Sequence, residues 1–285
     1  MGIIHFAEWF VAVALLGYGC IWATLSVLKA KYRDEIKNVT TCGYVAPAPS
    51  LSQTAGLLKF CRRLTNIQVG EITYKGRHNL DNLRGPRIIS ANHPHWADAA
   101  IMPQLIQTPC RYMAHGRVMS SLGGLLGVYL SKKGVFAAND GIYDGGVRTR
   151  AAAVEMITNN ENIVILPEGL TNFSPKMGPV KNGTVIIART AAAKIGKPVS
   201  ILPCYIRYGK YPGAWLSRFD RQTQFFMVLL AFPIFRRKAV VVVGEPISTD
   251  EFTVATATGE MRPMTDDEAS ALLKQRIESL DPGSV

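Results

Sequence analysis

Short apolar runs alternate with helix-length segments from about Ile67 onward, and this alternation most constrains the fold. We predict strands at Val69–Tyr74, Arg87–Ala91, Arg111–Ala114, Gly134–Ala137, Asn162–Leu166, Val199–Tyr205 and Ala239–Val243. Helices are predicted at Ala97–Ile106, Val147–Thr158, Thr184–Lys194 and Asp266–Leu280. Strands that alternate with helices of this length favour the α/β class, with a largely parallel sheet flanked by helices.

A polar turn follows the predicted strand Arg87–Ala91. It contains Asn92 and His93, and Asp98 opens the alanine-rich helical segment five residues after the histidine. A neutral imidazole beside a carboxylate suits general base catalysis, because the carboxylate fixes the tautomer and stabilises the imidazolium that forms. The alternative is a turn in which Asp98 only caps the helix.

A second polar turn, Pro167-Glu168-Gly169, follows the predicted strand Asn162–Leu166. Ligands of open α/β sheets bind beyond the carboxyl ends of the strands. If the two strands run parallel, His93 and Glu168 emerge at the same edge of the sheet. Gly169 would let a substrate approach the backbone closely. The alternative for Glu168 is a solvated turn.

A third candidate is Lys181-Asn182-Gly183, which opens the predicted helix Thr184–Lys194. A lysine and a glycine at a helix N-terminus are typical of an anion site. A simple helix start is the alternative interpretation.

The N-terminal part predicts a membrane anchor. Trp9–Leu28 carries no charge and is followed by basic residues, which favours a membrane-spanning or interfacial helix with the remaining chain facing the cytoplasm. The absence of Lys and Arg from residues 1–8 argues against a secretory signal. A helix buried in the protein is the alternative.

The segments around this anchor predict two units. Val39–Gln53 resembles a linker in composition, and Thr54–Leu64 predicts a short amphipathic helix that suits a membrane or an ordinary protein surface. The aromatic stretch Trp215–Phe235 has a basic rim and suits anionic lipid, with a core helix as the alternative. We therefore expect an anchoring unit at residues 1–66 and an α/β unit at residues 67–285.

The net charge indicates the class of binding partner, and the cysteine content indicates the compartment. The net charge is +11, from 32 basic and 21 acidic residues, and it favours nucleic acid, anionic lipid or a phosphorylated substrate. The five cysteines are scattered and odd in number, which indicates reduced thiols of a cytosol-facing protein.

Four blocks together resemble the glycerolipid acyltransferase family typified by bacterial 1-acylglycerol-3-phosphate acyltransferase. They are Asn92-His93…Asp98, Pro167-Glu168-Gly169, Lys181…Gly183 and Val199…Pro203, in the family's order. The resemblance covers about residues 69–245. It also implies membrane-associated N-terminal helices.

The resemblance implies a site and a reaction. His93 would be the general base on the acceptor hydroxyl and Asp98 its orienting partner. The substrate-binding residues would be Asn92, Glu168, Gly169, Thr171, Lys181 and Gly183. The acyl donor would be the thioester of acyl-CoA or acyl-carrier protein, with membrane lipids and a lysophospholipid as partners. Neither a cofactor nor a metal nor a covalent enzyme intermediate is implied.

Two departures leave the acceptor open. The family usually has an arginine after a Gly-x-Phe strand, whereas this chain continues from Gly134 and Phe136 to Asn139-Asp140. Lys132, Lys133, Arg148 and Arg150 are possible substitutes. Thr171-Asn172 resembles the version seen in lysophospholipid acyltransferases with larger headgroups. The acceptor is therefore 1-acylglycerol-3-phosphate or, alternatively, a lysophospholipid with a larger headgroup.

Other classes fit less well. A metal hydrolase of the His-x-His-x-Asp-His type would need Asp one position earlier and His at Ala99. No Gly-x-Ser-x-Gly motif indicates a serine hydrolase, and no nucleic-acid-binding motif accompanies the positive charge. A catalytically inactive, lipid-binding relative remains as a non-enzyme alternative, against which the intact His93 and Asp98 argue.

Overall fold

The protein is a mixed α/β structure with a mostly parallel central sheet flanked by helices. We describe it from a computed structural model, which describes residues 18–41, 43–81, 85–138, 146–174, 176–209, 238–256 and 259–283, with isolated positions between 215 and 227. The fold class predicted from the alternation of strands and helices is confirmed in this coarse form.

The central sheet has the strand order β1-β7-β6-β2-β5-β3-β4, with β8 paired to β6. Its strands are β1 (Ile72–Lys75), β2 (Arg87–Ala91), β3 (Arg111–His115), β4 (Val135–Ala138), β5 (Ile163–Ile165), β6 (Ser200–Tyr208), β7 (Ala239–Val243) and β8 (Ile247–Ser248). Strands β6, β2, β5, β3 and β4 run parallel, while β7 is antiparallel to β6 and parallel to β1. A separate hairpin pairs β9 (Thr253–Ala255) with β10 (Met261–Pro263).

The helices cover both faces of this sheet. They are α1 (Arg33–Thr40), α2 (Leu51–Gln68), α3 (His78–Asp81), α4 (Asp98–Ile106), α5 (Gly116–Ser120), α6 (Leu125–Ser131), α7 (Val147–Thr158), α8 (Gly183–Ile195) and α9 (Asp266–Glu278). One core lies between the sheet and α7, α8 and α9. The other lies between the sheet and α4, against which α2 packs.

Most predicted bounds agree with the structure. Arg87–Ala91, Ala239–Val243 and Val147–Thr158 are confirmed to the residue. Strand β6 runs three residues beyond the predicted end at Tyr205, because its antiparallel pairing with β7 continues to the pair Tyr208 and Ala239. That extension places Tyr208 at the end of the strand beside the candidate site.

The N-terminal part is more helical than predicted. Helix α2 begins at Leu51 because the side chain of Ser50 accepts a hydrogen bond from the backbone N–H of Gln53 while the Gln53 side chain caps Ser50 in return. Helix α1 ends at Thr40. The predicted linker Val39–Gln53 is therefore too long at both ends, and the predicted helix Thr54–Leu64 too short.

The edge strand β4 is covered by α1, α5 and α6, which bury Val39, Met119 and Val128 against it. Residues 18–31 are also helical, and their apolar side chains are largely exposed. Within the described ranges, no helix has both the length and the apolar character needed to cross a membrane. The first half of the predicted anchor Trp9–Leu28 and most of Trp215–Phe235 lie outside those ranges.

Candidate active site

Two loops leave the same edge of the sheet, because the strands that precede them are parallel neighbours. Strand β2 pairs with β5 in the register Ile88 to Ile163 and Ser90 to Ile165. The loops meet beyond the strand ends, where the backbone N–H of His93 donates a hydrogen bond of 2.7 Å to Glu168 Oε1. The expectation that His93 and Glu168 share an edge is confirmed.

The imidazole of His93 lies directly against the carboxylate of Asp98. His93 Nδ1 is 2.9 Å from Asp98 Oδ2. The Asp98 side chain is fully buried, and 16% of the His93 side chain is exposed. Because an ionised carboxylate only accepts, the proton of a neutral imidazole belongs on Nδ1, which leaves the lone pair of Nε2 available as a base.

Asp98 accepts two further hydrogen bonds. The backbone N–H of His95 donates to Oδ2 at 2.8 Å, and the hydroxyl of Tyr208 donates to Oδ1 at 2.5 Å. Three hydrogen-bond partners therefore surround this buried carboxylate and fix its position. No local pattern indicates Tyr208, which lies 110 positions from Asp98.

Asn92 joins the end of β2 to β6. Its Nδ2 donates to the carbonyl of Ile206 at 3.0 Å, and its Oδ1 accepts from the N–H of Ile206 at 2.6 Å. The side chain is buried. The observed contact of Asn92 therefore fixes two strands, and a contact with substrate stays a prediction.

The carboxylate of Glu168 organises the second loop. Besides the N–H of His93, it accepts hydrogen bonds at Oε2 from Asn172 Nδ2 at 2.9 Å and from the N–H of Gly178 at 2.7 Å. Glu168 is buried. These three contacts tie the loop to itself and to the first loop, so the side chain holds the walls of the site together.

Thr171 reaches the second nitrogen of His93. Its Oγ1 is 3.2 Å from His93 Nε2, and the side chain is half-buried. With Nε2 as the acceptor, the hydroxyl of Thr171 donates. It therefore occupies the place that an acceptor hydroxyl must take if His93 is to remove its proton.

Lys181 and Gly169 lie on the exposed side of the second loop. Gly169 has φ +73°, and a Cβ built on it would be 2.9 Å from Lys181 Nζ. The ammonium group therefore lies across the glycine backbone. Gly183 is the first residue of α8, two positions after Lys181, and a Cβ there would meet open space among the described residues.

Aromatic rings border the histidine–aspartate pair. The ring of Phe173 is 6.0 Å from that of Trp96, and the ring of Tyr208 is 5.1 Å from that of His95, between centroids. Phe173 is buried with φ +52°. Non-glycine residues rarely adopt this conformation, and those that do are concentrated at functional sites. No sequence pattern indicates a role for this ring.

The cysteines do not provide a nucleophile in the described core. Burial raises the pKa of Cys61, Cys110 and Cys204 to about 12, so these thiols stay protonated at neutral pH. Cys20 is exposed on helical residues 18–31. No group of three or more His, Cys, Asp or Glu side chains within the described ranges could hold a metal ion.

Two of the basic residues considered as substitutes for the missing arginine lie at the β4 edge. Lys132 Nζ is 3.1 Å from Glu35 Oε2, and Lys133 Nζ is 5.8 Å from the centre of the Tyr129 ring. Asn139-Asp140 lies outside the described residues. Lys181, by contrast, is a basic side chain that lies against Gly169 of the second loop.

Comparison with known proteins gives one family and a distant structural likeness. The family model described as Acyltransferase matches residues 71–207. No curated protein sequence matches the chain. Among solved structures, the chain is similar to the crystal structure of the 1-acyl-sn-glycerophosphate (LPA) acyltransferase PlsC from Thermotoga maritima, with 15% identity, 81% of each chain covered and a TM-score of 0.47. The matched range of the family contains both loops of the site and ends one residue before Tyr208.

Proposed function

Because the chain belongs to the acyltransferase family through residues 71–207, we propose that it moves a fatty acyl chain from a thioester donor to the free hydroxyl of a lysophospholipid. The donor is acyl-CoA or acyl-carrier protein, and the acceptor is 1-acylglycerol-3-phosphate. The observation that carries this proposal is the partly exposed His93 whose Nδ1 lies 2.9 Å from the buried carboxylate of Asp98.

The reaction follows from that pair. His93 Nε2 takes the proton of the acceptor hydroxyl as the oxygen attacks the thioester carbonyl, and Asp98 stabilises the imidazolium. The tetrahedral intermediate then collapses, the carbon–sulfur bond breaks, and the imidazolium returns the proton to the departing thiolate. A thioester is already activated, so positioning and proton transfer suffice without a covalent enzyme intermediate.

The acceptor hydroxyl must displace or share the position of Thr171 Oγ1, which now faces His93 Nε2 at 3.2 Å. Glu168 holds the surrounding loop through three N–H groups. Thr171 is therefore proposed to contact the acceptor, and Glu168 to shape the surface that the acceptor meets.

Lys181 supports an anionic headgroup. Its ammonium lies over the backbone of Gly169, on the exposed side of the loop that carries Thr171. The N-terminus of α8 at Gly183 adds a favourable dipole for a phosphate. A lysophospholipid with a larger headgroup is the second candidate acceptor, because Asn139-Asp140 follows β4 where the family usually has an arginine.

Association with a membrane completes the proposal, with the α/β unit on the cytoplasmic side. Apolar side chains that are 41–60% exposed lie on α2, α5, α6 and the turn between the last two: Phe60, Val118, Leu122 and Tyr129. Lys29 lies beside Gly123 and Lys133 over Tyr129. Exposed apolar groups among lysines suit the surface of an anionic bilayer.

The test of function is acyl transfer from labelled acyl-CoA by the purified protein, with lysophosphatidate and lysophosphatidylcholine offered separately and His93→Ala as the blank. Transfer to lysophosphatidate supports the proposed acceptor, and transfer only to the zwitterionic lipid supports the second candidate. If neither acceptor is acylated, whether the donor is acyl-CoA or acyl-carrier protein, the proposed function is contradicted.

The test of membrane association is sedimentation with vesicles of phosphatidylglycerol and phosphatidylcholine. We expect Leu122→Ser combined with Val118→Ser to weaken binding, whereas Met261→Ser, an exposed apolar residue on β10, leaves it unchanged. Equal binding by all three proteins would contradict a role for this surface.

A further inference from the structure

We propose that Tyr208 is a positioning residue for acyl transfer, which acts by holding the second oxygen of Asp98. The proposal rests on the function proposed above for His93 and Asp98. It assigns a role to a side chain that lies one position beyond the part of the chain matched by the family.

The hydroxyl of Tyr208 fills a place that nothing else in the described network fills. Asp98 Oδ2 accepts from His93 and from the backbone of His95, and Oδ1 accepts from Tyr208 at 2.5 Å. Tyr208 is 8% exposed and Asp98 is fully buried. The carboxylate is therefore held at both oxygens, with Oδ2 at the imidazole.

The end of β6 is built to place this hydroxyl. Asn92, the residue before the base, binds both backbone groups of Ile206, two positions before Tyr208. On its other side β6 pairs with β7 in the register Tyr208 to Ala239. The first loop of the site thus fixes the strand that supplies Tyr208, and Tyr208 in turn fixes the carboxylate of the first loop.

Removal of the hydroxyl would affect turnover more than substrate binding. Asp98 Oδ1 would lose the donor that holds it, and the carboxylate would be free to rotate away from His93. That rotation weakens the base while leaving the exposed side of the site intact. Tyr208 contacts the carboxylate of Asp98 and the ring of His95, and His93 binds the other oxygen of Asp98.

The chain offers a matched control on the same strand. Tyr205 also donates its hydroxyl to an aspartate, Asp281, at 3.2 Å, but its side chain belongs to the core on the opposite face of the sheet. We expect Tyr208→Phe to lower kcat by about ten- to hundredfold, the usual effect of a hydrogen bond to a charged group, with KM changed by less than about threefold. Tyr205→Phe should leave kcat and KM within about twofold of the original values.

A double-mutant cycle separates positioning from packing. If Tyr208 acts through Asp98, Tyr208→Phe should reduce kcat by less than about threefold in an Asp98→Asn background, because the carboxylate that it holds is already gone. If Tyr208 contributes only packing, Tyr208→Phe should lower kcat by the same factor in the original protein and in Asp98→Asn.

A second variant keeps the test valid if Tyr208→Phe does not fold. A fluorinated tyrosine at position 208 retains the ring and the hydroxyl, but its phenol loses its proton at a lower pH. We expect its activity to fall at alkaline pH values at which the unmodified enzyme is still fully active, and the same replacement at position 205 to leave the pH profile unchanged.

The outcomes distinguish this proposal from the one on which it rests. Full activity of Tyr208→Phe, an equal loss in Tyr205→Phe, or additive losses in the cycle would each overturn the role of Tyr208. If His93→Ala retains activity, the proposed function itself fails. An inactive His93→Ala together with a fully active, folded Tyr208→Phe overturns only the inference drawn here.

Discussion

The two loops at the edge of the sheet differ in how completely their polar groups are bound. In the first, after β2, the side chains of Asn92 and Asp98 are buried. Both bind residues of β6, and Asp98 also binds His93 within the loop. In the second, after β5, Glu168 is bound in the same way, but Gly169 and Lys181 are exposed. The comparison indicates a rigid part that holds the base and an open part that receives the substrate.

This division has kinetic consequences. Groups that act only on the transition state change kcat, whereas groups that bind substrate and transition state equally change KM. We therefore expect substitutions in the first loop to lower kcat, substitutions on the exposed side of the second loop to raise KM, and Glu168, which connects the two, to do both.

The largest effect is expected from Asp98→Asn. The amide nitrogen of asparagine donates, so it cannot accept from both His93 and His95 on one side and Tyr208 on the other. We expect kcat to fall by about 10³-fold or more, because the histidine loses its orienting partner. Steady-state kinetics with lysophosphatidate and acyl-CoA measure this loss.

The control for that substitution is Asp281→Asn, which removes a carboxylate that binds Tyr205 and Arg207 on the opposite face of the sheet. It should leave kcat within a few-fold. If Asp98→Asn kept kcat within about tenfold of the original value, the first loop would not be the catalytic part.

An intermediate effect is expected from Glu168→Gln. Three N–H donors converge on this carboxylate, and the amide of glutamine would turn a donor toward one of them. We expect the free energy of unfolding to fall by about 1–3 kcal/mol and kcat/KM to fall by about ten- to hundredfold. Chemical denaturation and kinetics on the same preparation test both. Glu155→Gln, an exposed change on α7, should alter neither the free energy of unfolding nor kcat/KM. A normal kcat/KM for Glu168→Gln would contradict the role of Glu168 in connecting the two loops.

A smaller effect is expected from Gly169→Ala. The new methyl group would lie 2.9 Å from Lys181 Nζ and displace the ammonium, so KM for lysophosphatidate should rise several-fold while kcat changes little. The backbone strain of an alanine at φ +73° is matched by Gly196→Ala, at φ +71°, where a Cβ meets open space among the described residues. Both variants should lose about 1 kcal/mol of stability. An equal KM for the two variants would show that the ammonium does not contribute to binding.

The smallest effect is expected from thiol modification, because neither loop contains a cysteine. Burial holds the pKa of Cys61, Cys110 and Cys204 at about 12, so at pH 8 only about one thiol in 10⁴ is ionised. We expect peptide mapping after treatment of the native protein with N-ethylmaleimide to find these three cysteines unmodified. Their rapid modification together with loss of acyl transfer would point to a thiol mechanism and contradict the role of the first loop.

The sequence predicted the parts of the site that are local. His93 and Asp98 are five positions apart, and the strands before His93 and Glu168 have clear apolar runs, so the shared edge followed from the parallel arrangement of an α/β sheet. Helix α2 also had a local signal, the capping pair Ser50 and Gln53, which the proline-rich composition before it concealed.

The remaining features depend on strand neighbours that the pattern does not determine. The apolar run of β7 is the same whether it pairs parallel or antiparallel with β6, yet that pairing carries β6 to Tyr208. The contact of Tyr208 with Asp98 joins residues 110 positions apart and has no local signature. The buried Phe173 has a backbone conformation that its residue type disfavours, so no propensity could predict it.

The most direct test of the rigid, catalytic part is the turnover of His93→Ala, purified and shown by circular dichroism to be folded, with acyl-CoA and lysophosphatidate in lipid vesicles. We expect kcat to fall by about 10³-fold while KM for acyl-CoA changes by less than about threefold, because the base is lost and the open part is retained. A folded His93→Ala protein with kcat within about tenfold of the original value would contradict the assignment of His93 as the base.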